Sequence, residues 1–117
     1  MARASEHRPA TRPLPVEEAE RLAAAIGAFA TSSRLLLLWA MLDGERSVDE
    51  LAGATNLSQS ATSHQLKVLR DARLVKVRRE GRHAFYALYD HHVPDLLAAM
   101  RHHYEHVELE KDAGRRK

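Results

Sequence analysis

The chain has 117 residues, 44% of them hydrophobic and 29% charged, which suffices for one compact domain with a modest core. It contains no cysteine, and this excludes disulfides, thiolate nucleophiles and soft thiolate metal sites. The net charge of +2 permits a nucleic-acid partner, and no apolar run approaches the ~18 residues of a membrane span.

The first fifteen residues, "MARASEHRPATRPLP", are basic and hold Pro9, Pro13 and Pro15 without an apolar stretch. They read as a disordered N-terminal arm over 1–15 and not as a secretory signal. A cytoplasmic protein is expected. "VEEAERLAAAIGAFA" spaces Leu22, Ile26 and Phe29 helically and predicts a first helix over 16–30. "TSSRLLLLWAMLDG" opens on capping hydroxyls, closes on Gly44 and is apolar nearly all round, so a second, buried helix is expected.

"SVDELAGATN" places Ser47 and Glu50 at capping-box spacing, and Asn56 suits the left-handed residue that ends a helix. After a short turn, Ser58 caps "QSATSHQLKVLRDA". A short helix, a tight turn and a longer helix outline a helix-turn-helix. The period then changes to two. "LVKVRRE" and "RHAFYALY" alternate polar and apolar residues on either side of Gly81 and predict a basic hairpin. Pro94 opens a last helix running to about Glu110, and "KDAGRRK" (111–117) reads as a flexible charged tail.

The expected fold is therefore mainly α with a β-hairpin. It is a winged helix-turn-helix of order α-α-α-α-β-β-α over residues 16–110. Its first and last helices lie outside the helix-turn-helix and carry apolar faces that need a partner, so a homodimer through them is expected.

On the fourth helix Thr62, Leu66 and Leu69 form one stripe. Ser60, Ser63, His64 and Lys67 fall on the opposite side, with Gln59 at the leading edge. Hydroxyls, an amide and a cation suit base edges and phosphates in a major groove, whereas the plainer reading is a solvated face. The hairpin tip adds Arg78, Arg79, Arg82 and His83, a wing to lie against phosphates. No aromatic stacking platform appears, so double-stranded DNA fits better than single-stranded RNA.

"SQSATSHQLKVLRDARLV" followed by "REGRHAFYALYDHH" resembles the ArsR/SmtB family of metal-sensing bacterial repressors, over about residues 16–110. The resemblance implies a homodimeric repressor that binds a palindromic operator and releases it when metal binds. One departure matters. Many members carry a cysteine pair at the start of the third helix, but "RSVDELAGA" has none, which removes the case for arsenic, lead or cadmium.

Five of the eight histidines lie between Tyr89 and Glu110: His91, His92, His102, His103 and His106. His103 falls on the apolar stripe of the last helix, with Val93, Leu96, Leu97, Met100 and Val107. His106 flanks that stripe and His102 points away. A lone histidine on an apolar face is commonly a hydrogen-bonded core residue, but a pair at i, i+3 can reach one ion.

Asp90 and His92 cannot complete that ion's shell within one chain, because residues 92 and 103 are separated by roughly 16 Å of helix. Antiparallel pairing of two last helices would bring Asp90 and His92 of one protomer to His103 and His106 of its partner. Three imidazoles and a carboxylate suit tetrahedral Zn(II). Co(II) or Ni(II) would favour extra donors from His7, His91 or His102. His102 with His106 is the rival pair on the helix. The Asp-x-His and His-x-x-His spacing also matches the family's fifth-helix sensing site, with His in the last position where some members have Glu.

An enzyme is not expected, since the chain lacks a phosphate loop, a paired nucleophile and base, and the mass for a pocket. Two further alternatives stay open from sequence: a DNA-binding dimer whose metal is only structural, and a regulator responding to an organic ligand.

Overall fold

The computed structural model describes residues 12–115, so most of the expected arm, including His7, lies outside the described residues. In chain order the elements are α1 (Val16–Gly27), α2 (Ser32–Ala40), β1 (Arg46–Ser47), α3 (Val48–Thr55), α4 (Gln59–Asp71), β2 (Val75–Glu80), β3 (His83–Leu88) and α5 (His92–Arg115). The strands form an antiparallel sheet of order β1-β3-β2. Helix-turn-helix and wing are both present as expected.

Local chemistry explains the boundaries. Thr31 caps α2 by accepting from the backbone N–H of Arg34 at 3.2 Å. Ser47 and Glu50 form a reciprocal capping box at the start of α3, with bonds of 3.2 and 2.9 Å. Asn56 takes φ 58° and closes α3. Ser58 then caps α4 by accepting from Ala61 N–H at 3.0 Å. The two-residue wing turn is set by the pairing of Glu80 with His83. Gly81 there has φ +60°, a conformation that costs a side-chain-bearing residue.

The core joins α2 (Leu37, Leu38), Met41, α3 (Leu51), α4 (Leu66, Leu69), the sheet (Val75, Tyr86, Leu88) and α5 (Val93, Leu97). Thr62 is buried among them, its hydroxyl donating to Ser58 O at 2.8 Å, so burial leaves no polar atom unsatisfied. Close packing is concentrated among α2, α3, α4 and the sheet, while α1 and α5 stand more loosely against it.

Several boundaries differ from the expectations. α1 stops at Gly27 instead of residue 30, and Ala28 and Phe29 turn inward to the core. α2 ends at Ala40 and is not buried all round: Leu36 is 50% exposed, and Leu35 and Trp39 are only partly buried. The strand β1 was not expected; two residues carry no period, and pairing of Arg46 with Tyr86 and Ser47 with Phe85 creates it. α5 begins two residues earlier than expected, at His92, which places Pro94 third, still in the first turn where its missing N–H costs nothing. It also continues to Arg115, past the expected end at Glu110. Ion pairs Lys111–Glu108 (3.7 Å) and Arg115–Asp112 (3.8 Å) knit that last stretch. Among the described residues no single helix is long and apolar enough to cross a membrane.

Arg73 shows a local conflict between sequence and backbone. It sits at φ 59° just past α4, where Leu74 N–H reaches Leu69 O and Arg73 N–H reaches Arg70 O, both at 2.9 Å. This is the Schellman closure, and it favours glycine. A left-handed L-residue costs roughly 1–2 kcal/mol, part of which glycine returns through its freer unfolded chain. Arg73→Gly is therefore expected to raise stability by about 0.5–1 kcal/mol in urea unfolding at fixed protein concentration. A loss of stability would contradict this account of the turn.

Candidate nucleic-acid interface and metal centre

The two faces of α4 separate as the sequence predicts. Thr62, Leu66 and Leu69 are buried, while Gln59, Ser60, Ser63, His64 and Lys67 are all exposed. Burial of one stripe against α2 and α3 fixes the helix, so the polar stripe is held outward as a rigid row. Part-buried Arg34 adds a brace: its Nε donates to Ala28 O at 2.8 Å and its Nη1 to Gln65 Oε1 at 2.9 Å, tying α4 to the α1–α2 turn. Sequence reading did not single out this residue, because its partner lies 31 positions away.

Two of the outward residues have partners. Gln59 Nε2 donates to Asp49 Oδ1 at 2.6 Å, so the amide is turned with its NH2 toward α3 and its Oε1 free to accept. Lys67 pairs with Asp71 at 3.0 Å, an exposed i, i+4 contact that holds the ammonium only weakly.

The wing distributes its cations over two faces. Alternation along β2 puts Val75, Val77 and Arg79 on the side toward the core, and Lys76, Arg78 and Glu80 on the outer side. Arg79, Arg82 and His83 are exposed. Arg78 is different. Its Nη2 and Nε donate to the two carboxylate oxygens of Glu45 at 2.8 and 3.0 Å, its Nη1 donates to Glu80, and its guanidinium lies 4.8 Å over the Phe85 ring. The Arg78 hydrogen bonds hold the Glu45 carboxyl below its ordinary pKa, and the carboxylates push Arg78 up.

All five clustered histidines are exposed, so His103 is not a hydrogen-bonded core residue of its own protomer. It is also not on the buried stripe of α5. That stripe runs through Val93 and Leu97, with Met100 and Val107 partly buried. His103 lies about 80° around the helix from Val93, beside Leu96, which is 46% exposed. His106 lies further round, with Nε2 at 3.4 Å from Glu110 Oε1. Asp90 and His92 are brought together at the other end. Asp90 Oδ1 accepts from the His92 backbone N–H at 2.9 Å just ahead of α5, while Oδ2 stands 3.3 Å from His92 Nδ1. The His92 hydrogen bonds, led by that of its side chain, lower the Asp90 pKa. The His91 ring lies tilted against His92 with centroids 4.2 Å apart. Among the described residues, no three His, Asp or Glu side chains converge on a point within one protomer.

An apolar groove of about 760 Å³ opens between α1, α2 and α5. Ile26, Leu35, Leu36, Trp39, Met100 and Tyr104 line it, with Arg101 over the Trp39 ring at 5.2 Å. Ile26, Leu36 and Tyr104 are 58%, 50% and 67% exposed, so three large apolar side chains stand open to solvent along one groove.

Residues 31–77, from the N-cap of α2 into β2, match the family described as "Bacterial regulatory protein, arsR family". The chain is 44% identical over 97 residues to the HTH-type transcriptional regulator NmtR of Mycobacterium tuberculosis, covering 83% of this chain and 81% of that one. It is 42% identical over 90 residues to a transcriptional repressor SmtB homolog of Synechocystis, covering 77% of this chain and 68% of that one. Among solved structures it is similar to the homodimeric winged helix-turn-helix DNA-binding domain of a possible ArsR-family regulator from Mycobacterium bovis. That match has a TM-score of 0.73 at 27% identity, over 85% of this chain and 90% of that one. With an exposed reading helix, a basic wing and these relatives, the chain belongs to the ArsR/SmtB family of bacterial transcriptional regulators.

Proposed function

We propose that this chain is a cytoplasmic homodimeric repressor that binds operator DNA and lets go when Zn(II), or alternatively Co(II) or Ni(II), binds between the protomers. The genes it controls would be those of metal efflux or homeostasis. The observation that carries the DNA reading is the split of α4 into a buried apolar stripe and a fully exposed polar one beside a basic wing. In this reading the exposed Gln59, Ser60, Ser63 and His64 would meet base edges, and Lys67, Arg79 and Arg82 phosphates. The bare apolar groove between α1, α2 and α5 supports a dimer through the first and last helices.

The donor set fits a small divalent ion. In a tetrahedron with bonds of ~2.1 Å, two donors stand about 3.4 Å apart. Asp90 Oδ2 and His92 Nδ1 are 3.3 Å apart, a spacing that supports reading the two as one edge of such a site. His103 and His106 would supply the other edge from the partner, and Glu110 beside His106 Nε2 would orient that ring. Bound there, the ion would add a cross-link between two α5 helices. Each α5 is rooted in the core by Val93 and Leu97, so that cross-link favours one relative placement of the two reading heads.

Lys67→Ala and Arg79→Ala are expected to weaken DNA binding and to flatten its dependence on salt by about one phosphate contact each. Gln59→Ala and Ser63→Ala should instead relax sequence preference. Titration of selected operator duplexes checks both, and unchanged binding in all four variants would move the DNA surface elsewhere.

Zinc is expected to lower operator affinity by a coupling of about 1–3 kcal/mol. Asp90→Ala and His103→Ala should keep DNA binding and lose the response, and His102→Ala should behave as the parent. Acidification should weaken the response, because an imidazole must shed its proton to bind. Operator release measured with and without zinc decides the assignment. Loss of response in His102→Ala with a normal response in His103→Ala would overturn it.

A further inference from the structure

Four residues from three parts of the chain meet on the outer face of the wing. Arg78 on β2 lies across its register partner Phe85 on β3, and Glu45, just before β1, reaches it from the far side of that central strand. Glu45 grips the guanidinium through both carboxylate oxygens, and Glu80 takes its remaining side. An exposed single pair such as Lys67–Asp71 is weak and easily exchanged. A two-pronged Arg–carboxylate pair joined by a second carboxylate and an aromatic platform is the kind that holds its geometry. Lys76 stands on the same face and also acts on Glu45, but the Arg78 guanidinium itself is shared between two carboxylates and has no charge left over for a phosphate.

Resting on the DNA-binding reading above, we propose that Arg78 is withheld from DNA, and that Glu45 and Glu80 are positioning residues that limit how many phosphates the wing neutralises. Arg78 then acts as the strut that ties the wing to the α2–β1 turn and fixes the direction in which Arg79 and Arg82 point. The effect is selectivity. Every phosphate contact strengthens binding to all duplexes alike. Sequestering one cation therefore lowers the affinity for arbitrary DNA without touching the base-reading row on α4.

The test is binding of the full-length protein to a fluorescein-labelled random-sequence 30-base-pair duplex, followed from low to moderate NaCl. Arg78→Met, which keeps an apolar stem on Phe85, should leave the slope of log K against log salt at the parental value, whereas Arg79→Ala should flatten it by about 0.9. The double variant Glu45→Gln/Glu80→Gln should steepen the slope by about 0.9, or about eightfold tighter binding at 0.1 M salt. Adding Arg78→Met to that pair should return the slope to the parental value. Two results overturn the proposal: flattening by Arg78→Met alone, or a steepened slope that persists in the triple variant and so reflects only lost negative charge. Should Arg78→Met fold poorly by thermal melting, Arg78→Gln provides the same comparison. Failure of the parent to bind the duplex at all would refute the DNA-binding reading itself, a separate outcome from either of these.

Discussion

The stiffness of α5 governs most of what this molecule can do. A straight helix holds residues 92 and 103 roughly 16 Å apart, and no side chain bends that distance away. Asp90 and His92 sit at one end of it and His103 and His106 further along, and among the described residues no three such side chains converge within one protomer. An ion held by both pairs, as proposed, would require a second copy, and metal occupancy and dimer geometry would then be one variable. The same rod carries Val93 and Leu97 into the core, so whatever reorients α5 is felt by the helices packed against it. Under that proposal, regulation by a small ion would need no large rearrangement, only a change in how two rods lie.

Electrostatics divides the reading head into groups that are free and groups that are held. The polar row on α4 is exposed, yet Gln59 is oriented by Asp49, which settles which edge of its amide faces outward. The wing offers Arg79 and Arg82 while Arg78 is bound on the opposite face. A net charge of +2 spread over 18 cations and 16 anions thus says little about the interface. Which cations are paired, and on which face, decides it.

Features with a local cause were legible in the sequence. The capping box at Ser47 and Glu50, the left-handed Asn56, the cap at Ser58 and the buried stripe Thr62, Leu66, Leu69 each depend on residues within one or two turns, and all are present. What escaped depends on partners far along the chain. The Arg34–Gln65 brace spans 31 positions and the Arg78–Glu45 pair 33, and β1 exists only because β3 lies beside it. α2 misled for a different reason. Its leucine run looks like a fully buried helix, but one side lines a groove that a single protomer leaves open. The shift of His103 off the buried stripe has the same origin, because periodicity alone does not separate a face turned to the core from an apolar face left exposed.

The proposed zinc site draws its donors in pairs from opposite protomers, and subunit mixing tests this directly. One variant carries Asp90→Ala/His92→Ala and the other His103→Ala/His106→Ala. Neither homodimer should bind zinc tightly. After mixing and exchange, the heterodimer should bind one zinc per dimer with parental affinity, because one of its two sites then draws all four donors from unmutated halves. Zinc binding that stays absent in a verified heterodimer, or that persists in either homodimer, would contradict a site shared across the dimer.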